Sequence, residues 1–235
     1  MSVFRLIPAL WLTGLLSCLA LASCLPASPA ECELWLRPGF DDETLSNLTM
    51  DTIDTWLDDY VAQHPELVLF HRQIYDFPRI DATLYNYDLE DQDLPARLLF
   101  QYSFQADGSL LITNTYSGFI DIPNREMIEC LGTPSYVEAY HTPSERYFAV
   151  WYPAKGITIV RTISGDLADP NPIFRQTDSQ IGKVFYIPSH IRDEWSLDEI
   201  AHLVRRSHAY DYPDDYPLQP WPGSWEAIQS IEFQE

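Results

Sequence analysis

Apolar residues recur at two different spacings along this chain, and each spacing predicts one kind of secondary structure. At 50–61 they recur every three or four positions with aspartates between them, which is typical of an amphipathic helix. A second helix is predicted at 123–131, which begins with a proline and is followed by Gly132. A third begins at 196–199, where the sequence Ser-Leu-Asp-Glu has the spacing of a capping box.

Stretches rich in β-branched and aromatic residues follow the first two helices and predict strands. They lie at 67–75, 97–104 and 110–116, and then at 136–141, 146–152, 156–163 and 181–187. Turn sequences at 105–108 and 153–156 predict antiparallel neighbours. Residues 85–94 are acidic and residues 164–180 are rich in turn formers, so both are predicted to be surface loops. The pattern as a whole predicts an α+β fold, in which antiparallel sheet packs against a few amphipathic helices.

The order of helix then strands occurs twice, which suggests two similar modules at 45–120 and 121–207. They would together make up an α+β domain at 33–207, followed by an aromatic and proline-rich C-terminal segment at 208–235.

The first 23 residues form an export signal, in which one basic residue, Arg5, precedes an apolar run of 18 residues. The run ends in Leu-Ala-Ser-Cys, which resembles a bacterial lipobox. That resemblance implies that Cys24 carries a diacylglyceryl group and anchors the mature protein to the cell membrane or outer membrane, facing outside the cytoplasm. The alternatives are a short transmembrane helix and a secretory cleavage after Ala22 or Ala30, which would release the protein.

Residues 24–32, rich in small residues and proline, are predicted to be a tether between lipid and domain. Cys32 and Cys130 remain once Cys18 leaves with the signal and Cys24 is lipidated. In an exported protein such a pair suggests a disulfide, which would contribute roughly 4 kcal/mol in the chain-entropy model. The alternative is a buried free thiol at Cys130 and a loose segment at Cys32.

Negative charge dominates the composition, with 14 basic and 35 acidic side chains and a formal net charge of −21. Removal of the signal with Arg5 brings the mature chain to −22. This charge argues against nucleic acid as a partner, and it repels anionic lipid headgroups, so membrane attachment must come through the lipid. Basic proteins, cationic peptides and metal ions remain as partners, while solubility in a salty or acidic exterior is an alternative reason for the charge.

One stretch resembles a known family. The sequence Ile-Glu-Cys-Leu-Gly-Thr-Pro at 128–134 precedes a strand pair and Trp-Tyr-Pro-Ala-Lys-Gly-Ile at 151–157. It is similar to the small α+β module of SmpA/OmlA-type envelope lipoproteins and β-lactamase-inhibitor-protein-like domains, where a helix ending in Leu-Gly-x-Pro packs on an antiparallel sheet. The resemblance covers only 123–163, and the first half of this strongly acidic chain lacks the signature. It implies a binding or scaffold role in the envelope without catalysis.

The sequence carries no motif typical of catalysis, metal binding or cofactor binding. It has no Gly-x-Ser-x-Gly elbow, no His-Glu-x-x-His, no EF-hand loop and no phosphate-binding glycine loop. His202, His208 and Asp211 could share a metal only if a helix ended between the histidines. Acidic clusters such as 41–43 and 58–59 are interpreted as helix starts and solvated faces. We therefore predict no catalytic residue, no metal and no cofactor.

The C-terminal segment is the best candidate for ligand recognition, because proline keeps it extended while aromatic rings offer flat surfaces with a polar edge. Its candidate binding residues are Tyr210, Tyr212, Tyr216, Trp221 and Trp225. Alternatively, this segment wraps across the domain and completes the core.

Together these patterns predict a non-catalytic cell-envelope lipoprotein that binds or scaffolds another envelope component, with a protein as its partner. The alternatives are a sugar or peptide receptor that uses the aromatic segment and, in another class, a secreted acid/base or metal-dependent hydrolase. The hydrolase would require acids and histidines to converge in one cleft.

Overall fold

The computed structural model of the protein describes residues 41–91, 97–117, 130–141, 146–163, 179–208 and 217–224. The helices are α1 (Asp42–Asn47), α2 (Ile53–Gln63), α3 (Ser189–Glu194) and α4 (Leu197–His208). The strands are β1 (Leu67–Phe77), β2 (Ala82–Asp91), β3 (Arg97–Phe104), β4 (Leu110–Ser117), β5 (Tyr136–His141), β6 (Arg146–Tyr152), β7 (Ile157–Ile163), β8 (Ser179–Tyr186) and β9 (Gln219–Pro220).

These strands form one antiparallel sheet in the order β1-β2-β3-β4-β8-β7-β6-β5-β9. β1 to β4 make one meander and β5 to β8 make another. The two meanders meet at their last strands, where Thr113 pairs with Tyr186 and Tyr116 pairs with Lys183. The predicted α+β fold with an antiparallel sheet is therefore confirmed, while the division into modules at 45–120 and 121–207 stays a prediction.

Both predicted turns are confirmed. Between β3 and β4 the N–H of Gly108 donates to the carbonyl of Gln105 over 2.9 Å, and the glycine has a φ of +85°. Between β6 and β7 a short 3₁₀ helix, Pro153–Lys155, ends at Gly156 with a φ of +64°. A positive φ is accessible to glycine without strain, which explains the residue at each turn.

The prediction of a surface loop at 85–94 is wrong, because β2 (Ala82–Asp91) occupies most of that stretch. Tyr85, Tyr87 and Leu89 are buried on one face of β2, while Asn86 and Asp88 alternate with them. The alternation of a strand was therefore present, but its buried positions are tyrosines and its polar positions include acids. The sequence of β2 is therefore acidic in composition although one face of this strand lies in the core.

The sheet is the middle layer of three. One face carries a core in which Phe100 and Tyr102 of β3 lie with Ile53 and Leu57 of α2. The opposite face carries a second core, in which buried side chains of β6 and β8 lie with those of α3 and α4: Ala149, Trp151, Phe185, Ile191, Ala201, Leu203 and Val204. The alternation of side chains along the strands supplies both faces, so each helix layer has its own apolar surface to cover.

Two of the described helices, α4 and α1, begin with a side-chain cap. At α4 the N–H of Ser196 donates to the Glu199 carboxylate over 2.7 Å, and the N–H of Glu199 donates back to the Ser196 hydroxyl over 3.3 Å, so the predicted capping box is confirmed. At α1 the Asp41 carboxylate accepts from the N–H of Thr44 over 2.9 Å. This contact confirms that the acidic cluster at 41–43 marks a helix start.

Several predictions fall outside the described residues. They concern the signal at 1–23, Cys24, the tether at 24–32 and most of the helix at 123–131, of which Cys130 and Leu131 are described and helical. The predicted loop at 164–180 is undescribed up to residue 178, and its last two residues belong to β8. No described helix is long and apolar enough to cross a bilayer.

Candidate functional site

The two outer edges of the sheet differ. At one edge β9 pairs with β5, with Tyr136 opposite Pro220 and Val137 opposite Gln219. At the other edge β1 pairs only with β2, so within the described part of the chain its outer side has no strand partner. A long strand with one unpaired side presents a row of backbone donors and acceptors on which another strand can pair.

Exposed apolar side chains concentrate on this edge. Every residue from Val68 to Asp76 is exposed. The large apolar members of the strand are exposed by 36% to 61%: Val68, Leu69, Phe70, Ile74 and Tyr75. We refer to β1 with these five side chains as the β1 edge. Large apolar side chains exposed on an edge strand are typical of an interaction site.

A β-bulge gives Phe70 its prominence. Leu69 pairs with Leu89 and His71 pairs with Asp88, so Phe70 has no opposite residue on β2. A bulge bends the strand and changes the direction of the extra side chain. Phe70 is the most exposed of the five large apolar side chains of the β1 edge, at 61%.

The middle of β1 is held firmly against α2. The Arg72 guanidinium pairs with the Asp54 carboxylate at 2.5 Å and lies over the rings of Tyr85 and Tyr87, at 5.9 and 6.0 Å from their centroids. The Tyr87 hydroxyl donates to Asp54 over 2.7 Å. Burial, and then the hydrogen bond to Asp54, raise the pKa of Tyr87, so its hydroxyl keeps the proton that it donates. These contacts fix the position of Arg72, in the middle of β1, relative to α2.

A second candidate site lies on the opposite face of the same half of the sheet, beside the C-terminal end of α4. It is a cavity of about 160 Å³, which we call the basic cavity. Its polar lining residues are Arg79, Lys183, Arg206, His208, Tyr75, Gln101, Ser103, Asn114 and Ser207. Among the described residues that line it there is no aspartate or glutamate, although acidic side chains outnumber basic ones more than twofold in the chain.

Two titratable groups of the basic cavity, Lys183 and His208, respond to their own burial. Burial lowers the pKa of the Lys183 ammonium. Burial, and then the charge of Lys183, lower the pKa of His208 to about 3, so the imidazole is neutral at physiological pH. Asn114 is 2% exposed, and its side-chain oxygen accepts no hydrogen bond from any described residue.

A larger cavity of about 820 Å³ adjoins the basic cavity and shares Arg79 and Arg206 with it. It lies beside α4. Its other lining residues include Trp195, His202 and three acids, Asp81, Asp198 and Glu199. The larger cavity therefore has acidic side chains in its lining, whereas the described lining of the basic cavity has none. The two arginines lie where the cavities meet.

Lowering the pH from 7 to 5 is expected to lower the free energy of unfolding by about 2 kcal/mol through His208. The unfolded imidazole binds a proton near pH 6.5, whereas the folded one does so only near pH 3. Between pH 6.5 and pH 3 the unfolded state therefore binds more protons than the folded state. The contribution of His208 to the free energy of unfolding is full above pH 6.5 and is lost as the pH falls towards 3. Urea unfolding at both pH values measures the change.

A His208→Gln variant should lose about 2 kcal/mol less between pH 7 and 5 than the wild type. The exposed His71 provides the control, because His71→Gln should keep the wild-type difference. An unchanged pH dependence in His208→Gln would contradict the prediction.

Of the binding residues predicted in the C-terminal segment, only Trp221 is described. Its N–H donates to the carbonyl of Ser135 over 3.0 Å, and its partly buried ring packs against the core. These contacts favour the alternative that this segment completes the core. Tyr210, Tyr212, Tyr216 and Trp225 lie outside the described residues, so their role in binding stays a prediction.

The cysteine prediction also stays open. Cys130 is partly buried and packs against the core, while Cys32 lies outside the described residues. His202 and His208 lie on α4, and Asp211 lies outside the described part. Among the described histidines, cysteines, aspartates and glutamates, no three come together in a way that could hold a metal ion.

Sequence reasoning missed both candidate sites. The strand at 67–75 was predicted, and its run Leu-Val-Leu-Phe at 67–70 shows no alternation of apolar and polar residues. A run of this kind is typical of a strand covered on both faces, so its exposure signals an absent partner. The basic cavity gave no signal, because Arg79, Lys183 and Arg206 come from three distant parts of the chain.

Comparison with protein-family models, with curated proteins and with solved structures finds no match for this chain.

Proposed function

We propose that this protein is a non-catalytic cell-envelope lipoprotein, held to a membrane by the lipid on Cys24, that docks an extended segment of another envelope protein on its β1 edge. The observation that carries the docking role is the 11-residue strand β1, whose outer side has no strand partner in the described part of the chain and which exposes five large apolar side chains. Addition of a strand uses main-chain hydrogen bonds for affinity and alternate side chains for specificity.

Charge favours a basic partner. α2 lies beside β1 and carries acids but no lysine or arginine. Asp58 and Asp59 of α2 are exposed, and Asp58 lies one turn after Asp54, which reaches Arg72 of β1. A segment with lysines or arginines among apolar residues would satisfy both the edge and its acidic surroundings. A second copy of this chain is disfavoured, because both copies would carry the same large negative charge.

The mature protein from its native host is expected to carry a diacylglyceryl adduct on Cys24. A mass spectrum of an unreduced digest measures this and also reports any linked peptide that contains Cys32 and Cys130. An unmodified N-terminus at another position would contradict the anchor, and would leave a secreted protein.

Docking on the β1 edge is tested by photo-crosslinking in the native envelope, with benzoylphenylalanine at position 70 or at Ala154. Ala154 is exposed on the turn between β6 and β7, away from β1. Position 70 is expected to give a crosslink to one protein and position 154 is not. The crosslinked protein is then purified, and its affinity is measured for the wild type and for the double variant Phe70→Lys with Ile74→Lys.

The double variant is expected to bind at least about tenfold more weakly, because two charges replace apolar contacts at the centre of the interface. Its melting temperature should stay close to that of the wild type, since both side chains are exposed. The matched control Ala154→Lys should bind like the wild type. Equal affinity of the double variant, or a crosslink at position 70 that joins two copies of this chain, would refute the proposal.

A further inference from the structure

We propose that the basic cavity binds a small oxyanion that also carries a hydroxyl group. This site lies on the face of the sheet opposite α2. It shares Tyr75 with the β1 edge, but none of the variants that test it changes β1. The ligand chemistry is that of a hydroxylated carboxylate or a phosphate, and it follows from the charges and hydrogen-bonding groups that line the cavity.

The sign of the charge is the first argument. Three arginine and lysine side chains converge on a cavity of about 160 Å³ with no described acid in its lining. In a chain with 14 basic and 35 acidic residues, this is a strong local reversal of charge. Guanidinium and ammonium groups bind oxyanions through charge-assisted hydrogen bonds, which are stronger where water is excluded.

Lys183 is the decisive residue. Arg206 and His208 lie in the last turn of α4, where the helix dipole itself favours basic side chains. Lys183 lies on β8 and has no such reason to be basic. Its ammonium forms no ion pair within the described structure, and burial lowers its pKa, so the charge is held at a cost in stability. An anion in the cavity would offset that cost.

Asn114 indicates the second feature of the ligand. Asn114 lines the cavity, and its side-chain oxygen is buried and accepts no hydrogen bond from a described residue. Buried acceptors are normally satisfied. A hydroxyl group next to the anionic group of the ligand would donate to this oxygen, whereas a simple carboxylate such as acetate would leave it unsatisfied.

The volume limits the ligand that enters. A cavity of about 160 Å³ holds an anionic group with a few neighbouring atoms. The larger cavity begins at the shared residues Arg79 and Arg206 and offers the ring of Trp195 for the rest of a longer ligand. The anionic end therefore lies inward, towards Lys183.

The test is isothermal titration of the full mature chain, kept in detergent at low and constant ionic strength. The probes are glucuronate, inorganic phosphate, acetate and neutral glucose. Glucuronate or phosphate is expected to bind saturably and at least about tenfold more tightly than acetate, while glucose does not bind. The tighter of the first two identifies the source of the oxyanion, a hydroxylated carboxylate or a phosphate. The proposal is overturned if neither glucuronate nor phosphate binds saturably, or if acetate binds as tightly as both of them.

Variants assign the binding to the cavity. Lys183→Met should weaken the tighter probe at least about tenfold while the melting temperature stays level or rises, a combination that a structural lysine would not give. Lys155→Met removes an exposed lysine from the turn between β6 and β7 and should change neither quantity. Asn114→Leu should reduce the affinity for glucuronate to that for acetate.

Arg206 provides a second check, because it is exposed and its removal leaves the core intact. Arg206→Met should also weaken the tighter probe, and it decides the question if Lys183→Met does not fold. Wild-type affinity in either folded variant overturns the assignment to this cavity.

Discussion

Replacing Arg205 by leucine is expected to lower the free energy of unfolding by about 3–5 kcal/mol. The Nε of Arg205 on α4 donates to the carboxylate of Glu138 on β5 over 2.7 Å, and their side chains are only 6% and 1% exposed. Removal of the arginine leaves a buried carboxylate without its counter-charge, and the interior cannot solvate it. Urea unfolding followed by tryptophan fluorescence measures the loss.

The double variant Arg205→Leu with Glu138→Leu distinguishes a buried charge from a lost contact. It should recover most of the stability, since an apolar pair avoids the desolvation of both ions. The pair of Arg192 and Asp42 provides the control, because its carboxylate is 54% exposed and Asp42→Asn should therefore cost less than about 1 kcal/mol. A double variant no more stable than Arg205→Leu would contradict this account of the pair.

Replacing Gly156 by alanine is expected to lower the free energy of unfolding by about 2–4 kcal/mol. Gly156 has a φ of +64°, and an added Cβ would lie 2.5 Å from the carbonyl oxygen of Ile187 and 2.9 Å from the Nε of Arg192. That contact with backbone cannot relax by a side-chain rotation. It would also disturb the bond in which the N–H of Ile187 donates to the carbonyl of Gly156 over 2.8 Å.

Gly132 provides the control that separates the cost of a positive φ from the cost of the close contact with Ile187. It also has a positive φ, +77°, but an added Cβ would meet no atom within 4 Å. Gly132→Ala should therefore show only the backbone term, about 1 kcal/mol. The two variants are compared by urea unfolding. Equal losses would mean that the close approach to Ile187 has no energetic weight.

The elements with strong local signals could be predicted from the sequence. The apolar spacing of α2, the capping box of α4 and the glycine turn between β3 and β4 each depend on residues a few positions apart. α1 and α3 are six residues long, which is too short for a helical period to show. β2 was missed because its buried residues include Tyr85 and Tyr87. In an acidic stretch of sequence, tyrosines next to polar residues are easily taken for part of a solvent-exposed loop.

The candidate sites required the order of the strands. β1 was recognised as a strand, but nothing local distinguishes an edge strand from a central one, and its exposure follows from its place at the end of the sheet. The basic cavity needs Lys183 on β8 beside the end of α4, a proximity created by the pairing of β4 with β8. Tertiary contacts between distant parts of the chain decide both, and hydrophobic spacing carries no information about them.

The meeting of the two meanders at their last strands also sets the sequence of events in folding. β4 ends at Ser117, and its neighbour β8 begins only at Ser179, so a chain that emerges N-terminus first has formed β1 to β4 long before β8 is present. During that interval both sides of the first meander are open to strand-to-strand aggregation. Until β8 is present, β4 lacks the neighbour that covers it in the folded sheet, and the length of the segment between the two strands sets how long this edge stays uncovered.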